Sequence, residues 1–162
     1  MAIEQPVAAG DALVVAMKSE ARGAEASLST LGELDASGSG LRTLRLREPA
    51  RDPKDAWREL LAKNPDVAWA SPSFRDVSGN ELLPTGAVVV RFREKPSAKA
   101  IAAFSKEEKV ELERRTPLVP EQASFRPRQP REVYLPELVA RLAGRADVAA
   151  AWAATSSRYR KA

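Results

Sequence analysis

Neither cysteine nor histidine occurs in this 162-residue chain. The first absence removes disulfides, thiol nucleophiles and thiolate metal ligands. The second removes the commonest general acid/base near neutral pH and, with it, any Ser-His-Asp arrangement. No catalytic residue, metal site or cofactor is therefore expected. Aromatic residues are scarce at 6%, which leaves a core to be assembled from Leu, Val and Ala. Long apolar runs are missing too: none approaches the roughly 18 residues of a membrane span, and the first ten residues carry Glu4 and no stretch of signal-peptide length. The sequence reads as a soluble cytoplasmic protein with no membrane partner. The charge surplus is small, 26 Lys and Arg against 22 Asp and Glu for a net +4. A nucleic-acid footprint shows as Lys/Arg clustered on one face, so nucleic acid is not expected as the partner.

What is present is a duplication. Leu61-Ala-Lys-Asn-Pro-Asp-Val-Ala-Trp-Ala70 returns as Leu142-Ala-Gly-Arg-Ala-Asp-Val-Ala-Ala-Ala151, so that Leu142, Asp147 and Ala151 each stand 81 positions after Leu61, Asp66 and Ala70. Thr43-Leu-Arg-Leu-Arg-Glu-Pro49 and Ser124-Phe-Arg-Pro-Arg-Gln-Pro130 keep the same offset. A repeat of this length within 162 residues favours two small domains, at residues 1–75 and 87–162, over one large one. The Pro/Ser/Gly/Asn-rich stretch between them makes 76–86 the expected linker.

Within the first copy, residues 1–10 read as a loose arm and Ala12–Met17 as a buried strand. Glu20–Leu31 spaces Ala21, Ala24, Leu28 and Leu31 as one helical stripe. Glu33–Ala36 suits a short strand. Leu41–Arg47 alternates, with Leu44 and Leu46 inward and Thr43, Arg45 and Arg47 outward. Asp52-Pro53 starts a helix carrying Ala56, Trp57, Leu60 and Leu61, and Asp66–Ala70 is the last strand. The second copy repeats the order: strand Ala87–Arg93, a helix from Pro96-Ser97, strand Val110–Arg114, strand Ser124–Arg128, helix Tyr134–Leu142 and strand Asp147–Trp152. Pro127, in place of Leu46, predicts a bulge or an edge position, and residues 153–162 read as a polar tail. Trp57 and Trp69 are expected in the core, and Glu107, Glu108, Glu111 and Glu113 in solvent. The fold class is α+β: two tandem ferredoxin-like βαββαβ domains, each a four-stranded antiparallel sheet with two helices on one face.

The run Asp66-Val-Ala-Trp-Ala-Ser-Pro-Ser-Phe74 is similar to the end of the pro-domains of subtilisin-like serine proteases, in their fervidolysin-type form. Leu83-Pro-Thr-Gly-Ala-Val-Val-Val-Arg-Phe-Arg-Glu-Lys-Pro-Ser97 resembles that family's first strand and helix start. Both copies are covered. Ser71 stands where the family usually has an acidic residue that caps a protease helix, so that contact is either missing or supplied by Glu132 or Glu137. With no protease domain in the chain, the resemblance implies a stand-alone pro-domain that inhibits, and assists the folding of, a subtilisin-like protease as a heterodimer. Such a chain would leave the cell only together with its partner.

In that family the helix-free sheet face rests on the protease and the C-terminal tail lies in its cleft as an extended strand. Carried over, the cleft residues are Tyr159, Arg160, Lys161 and Ala162, with Tyr159 as the anchor and Ala162 bearing the carboxylate. Arg45, Arg47, Arg126 and Arg128 are the expected protease-facing arginines, or else a solvated face. Two other classes stay open. RNA binding uses the same topology but stacks bases on paired aromatics, where Phe125 stands alone. A tandem pair binding a small molecule would need a ligand loop.

Overall fold

The computed structural model describes residues 7–18, 32–36, 41–46 and 52–157. These form eight antiparallel strands and three α-helices, an α+β fold. They fall into two compact units, Met1–Pro84 with Thr155–Ala162, and Thr85–Ala154.

In the first unit the strands are β1 (Val7–Met17), β2 (Gly32–Ala36), β3 (Leu41–Leu46) and β4 (Val67–Arg75). Their hydrogen-bonded order is β2-β3-β1-β4. Helix α1 (Pro53–Lys63) begins as its sequence dictates: the Lys54 amide donates to Asp52 Oδ1 at 2.9 Å and Pro53 occupies the first turn. Its stripe of Trp57, Leu60 and Leu61 is buried, and the Trp57 indole N–H donates to the Ala70 carbonyl at 2.8 Å. The expected helix Glu20–Leu31 lies outside the described residues.

Cross-strand pairing sorts the residues by face. Leu13 and Val15 stand opposite Leu44 and Arg42, whereas Ala12, Val14 and Ala16 stand opposite Arg45, Thr43 and Leu41. Val14 and Ala16 also pair with Ser71 and Trp69. The second set belongs to the face expected to be open, yet Ala12, Val14, Thr43, Ser71 and Ser73 are all buried. These side chains are small and uncharged, so their burial strands no charge. Trp69, expected in the core, is half-buried on this same face.

The linker, and the loose arm from Val7 onward, are corrected by strand extension; residues 1–6 of that arm lie outside the described residues. Val7 and Ala8 pair with Arg75 and Phe74, and residues 9–12 bulge opposite Ser73. β4 therefore runs on through Pro72 to Arg75, and β5 (Glu81–Phe92) returns against it with Arg75 opposite Glu81. The turn between them is fixed by Asp76, whose Oδ1 accepts the amides of Ser78 and Asn80 at 2.9 Å, with Gly79 at φ 79° supplying the left-handed position. Residues 76–86 are thus a hairpin turn and the start of a strand.

In the second unit, β5 lies between β7 (Gln122–Pro127) and β8 (Val148–Ser157), and β6 (Val110–Arg115) pairs with β7. The order β6-β7-β5-β8 matches that of the first unit strand for strand. Pro127 is the last residue of β7, where its missing N–H breaks no inner rung. The bulge falls instead in β6, between Leu112 and Arg114. β8 extends five residues past Trp152, so part of the expected polar tail is strand. Helices α2 (Ala98–Glu108) and α3 (Leu135–Ala143) bury Ile101 and Phe104, and Leu135, Leu138 and Leu142. Phe104 stands 5.1 Å from Phe92 and 4.9 Å from Phe125, ring centre to ring centre. Three of the chain's few aromatics are concentrated in this one core.

Truncating Phe104→Ala should cost about 3–5 kcal/mol of stability, read from urea unfolding of the full chain. Ser73 gives the opposite case, since its buried hydroxyl has no hydrogen-bond partner. Ser73→Ala should be neutral or stabilising by up to about 1 kcal/mol, and a clear loss would reveal a hidden partner.

Candidate functional site

On the second unit the described residues present a sheet face that is both helix-free and polar. Val88, Val90 and Phe92 of β5 point at the helices and are buried. The alternate residues Val89 and Arg91 stand opposite Ser124 and Gln122 of β7, and Arg126 stands opposite Glu111 of β6. Arg91 is exposed and holds a defined pose. Its Nη2 donates to Gln122 Oε1 at 3.2 Å, and its guanidinium carbon lies 5.8 Å from the centre of the half-buried Trp152 ring. The planar cation shields one side of the indole while keeping its remaining N–H groups in water.

Of the expected arginines, Arg126 belongs to this face. Its Nε donates to Glu113 Oε1 at 3.0 Å and its Nη1 to the Thr85 carbonyl at 3.1 Å, leaving it exposed but oriented. Arg128 lies just beyond β7, with Nε donating to the Val110 carbonyl at 3.4 Å. Arg45 is instead held in a bidentate pair with Glu81 at 2.7 and 2.6 Å, so its charge is already matched within the first unit. Arg47 and the four cleft residues Tyr159, Arg160, Lys161 and Ala162 lie outside the described residues. Glu132 and Glu137 are exposed.

Sequence reasoning passed over Arg91. Its signal was the alternation Val88-Val89-Val90-Arg91-Phe92, in which a charge between buried neighbours marks the opposite face.

A second cluster holds the unit together rather than facing a partner. Arg145, in the turn between α3 and β8, donates to Glu107 at 3.0 Å, to Glu108 at 2.9 Å and to both oxygens of Asp147 at 2.9 and 3.1 Å. Its guanidinium lies 4.8 Å from the Phe104 ring centre, and Arg141 donates to Glu108 at 2.9 Å. Glu107, Glu108 and Glu113 are accordingly engaged, not merely solvated as expected. The hydrogen bonds from Arg145 hold the Asp147 carboxyl below its ordinary range, and those from Asp147 and the glutamates raise the guanidinium's own pKa against the opposing effect of burial.

An open groove of about 530 Å³ runs between the β5–α2 loop and this turn. Arg93 crosses it to donate to the Ala146 carbonyl at 2.9 Å, so its polar lining is largely spent on itself. Among the described residues no group of three His, Cys, Asp or Glu side chains could hold a metal ion, and no helix is long and apolar enough to cross a membrane.

Because the folded-state pKa of Asp147 is depressed, the stability it contributes is present above the unfolded carboxylate pKa near about 4 and is lost as pH falls through the lower folded value. Asp147→Asn should therefore destabilise the chain at pH 7, and the gap to wild type should close at about pH 2, in urea unfolding at the two pH values. Compared with protein-family models, curated proteins and solved structures, the chain matches none.

Proposed function

We propose that this chain is a stand-alone inhibitor and folding assistant of a subtilisin-like serine protease, made of two ferredoxin-like repeats. The observation that carries the reading is the same strand order in both units, β2-β3-β1-β4 and β6-β7-β5-β8, joined to the pro-domain-like sequence that closes the first copy. In the first unit the first helix of such a repeat would fall within residues 19–31, outside the described part.

The mechanism is occupation, not chemistry. A sheet face rests on the protease surface, and residues 159–162 enter the cleft as an added strand. Main-chain pairing supplies affinity there, and the Tyr159 side chain supplies selectivity. β8 already runs to Ser157, so the cleft segment follows an extended strand after one intervening residue. RNA is the less favoured ligand for such a face, since RNA readers stack bases on paired aromatics and Phe125, the aromatic of the third strand, is buried in the core.

The test is inhibition of a panel of purified subtilisin-class proteases acting on a chromogenic peptide, with chymotrypsin as the unrelated control. The expected result is 1:1 inhibition of panel members and a large loss of potency when residues 157–162 are deleted. A panel left fully active by the intact chain would falsify the assignment. Equal potency of the truncated chain would remove the cleft segment from the mechanism.

A further inference from the structure

The two copies are built to one register, which allows their helix-free faces to be compared position by position. Val14 pairs with Thr43 as Val89 pairs with Ser124, and Ala16 pairs with Leu41 as Arg91 pairs with Gln122. Ser71, opposite Val14, is matched 81 positions on by Trp152. At three equivalent places the first copy therefore has Ala16, Leu41 and Ser71 where the second has Arg91, Gln122 and Trp152.

These three are the residues of the Arg91–Gln122–Trp152 stack. The first copy cannot form it, and its corresponding strip of Val14, Thr43 and Ser71 is at most 1% exposed. Its arginine on this face, Arg45, is neutralised by Glu81.

We infer that the repeat has divided its labour: the face of the second copy is the partner-binding surface, centred on Arg91 and Trp152, and the first copy's face takes no part in binding. This rests on the inhibitor reading and specifies which copy carries it. The surface fits a folded protein patch with carboxylates beside an aliphatic area, here that of the protease. Arg91, Arg114 and Arg126 outnumber Glu111 and Glu113, and Glu113 is already engaged by Arg126, so the charge left to match is positive. Arg91 is held in place by Gln122 and the indole, so ordering it on binding costs little, and Trp with Arg is the pairing that dominates interface energetics.

The experiment measures binding of the full chain to an inhibited protease from the responsive panel by calorimetry, at two salt concentrations. Arg91→Glu and, separately, Trp152→Leu should each weaken binding by about 30-fold, and Arg91→Glu should also flatten its salt dependence. Trp69→Leu, the same kind of change on the first copy's face, should leave binding intact. Thermal unfolding of each variant confirms that it is folded. Folded Arg91→Glu and Trp152→Leu chains that bind like wild type overturn the inference while leaving the inhibitor reading standing, as does a folded Trp69→Leu chain that has lost binding. A wild-type chain that binds no panel member overturns both.

Discussion

A sheet has two faces, and in the second unit helices α2 and α3 bury their apolar stripes against one of them, which leaves the other to meet water. The outer face is treated differently in the two units. In the first unit the face that carries Arg45 and Trp69 also holds Thr43, Ser71 and Ser73, small uncharged side chains buried with the apolar Ala12 and Val14. The cost appears as the unpartnered Ser73 hydroxyl. In the second unit Arg91 and Gln122 stand where the first has Ala16 and Leu41, and the Arg91 guanidinium stays in water. The same strand order thus carries a buried strip in one unit and an exposed polar one in the other.

The open face is only as rigid as the layer beneath it. In the second unit that layer is narrow, because Phe92, Phe104 and Phe125 concentrate most of its aromatic volume at one point. Arg145 closes this cluster from outside, its guanidinium over Phe104 and its N–H groups spread over three carboxylates. A cation at this depth is tolerable because each direction of its fork is answered by an acceptor. The network also ties the end of α2 to the start of β8, the strand that carries Trp152. Core, turn and surface are linked through one side chain.

Much of this was legible in the sequence. The repeat placed equivalent strands in both copies, and the Asp52-Pro53 start, the α1 stripe and the α3 leucines all lie where periodicity puts them. The misreadings share a cause. The Pro/Ser/Gly/Asn-rich stretch 76–86 suggested a linker, Pro127 suggested a bulge or an edge, and the residues after Trp152 suggested a tail. In each case pairing with a distant strand outweighed local composition, and strand pairing is a non-local property. Arg45 illustrates the same limit at the site. Its alternation correctly put it on the outer face, but nothing in the local pattern shows that Glu81, 36 residues away, neutralises it.

An open face bearing a tryptophan invites indiscriminate association, and the second unit counters this in two ways. The Arg91 guanidinium covers part of the indole, so a partner gains the full apolar contact only if it also satisfies the cation. At the end of the strand order, β6 interrupts its own ladder with the bulge between Leu112 and Arg114 and presents Glu111, Glu113 and Arg114 to solvent. A bulged, charged strand is a poor template for another chain's strand. What remains accessible is therefore the centre of the face rather than its edge. A partner must match side chains across several strands at once, which demands a folded surface of fixed shape rather than a stray extended segment.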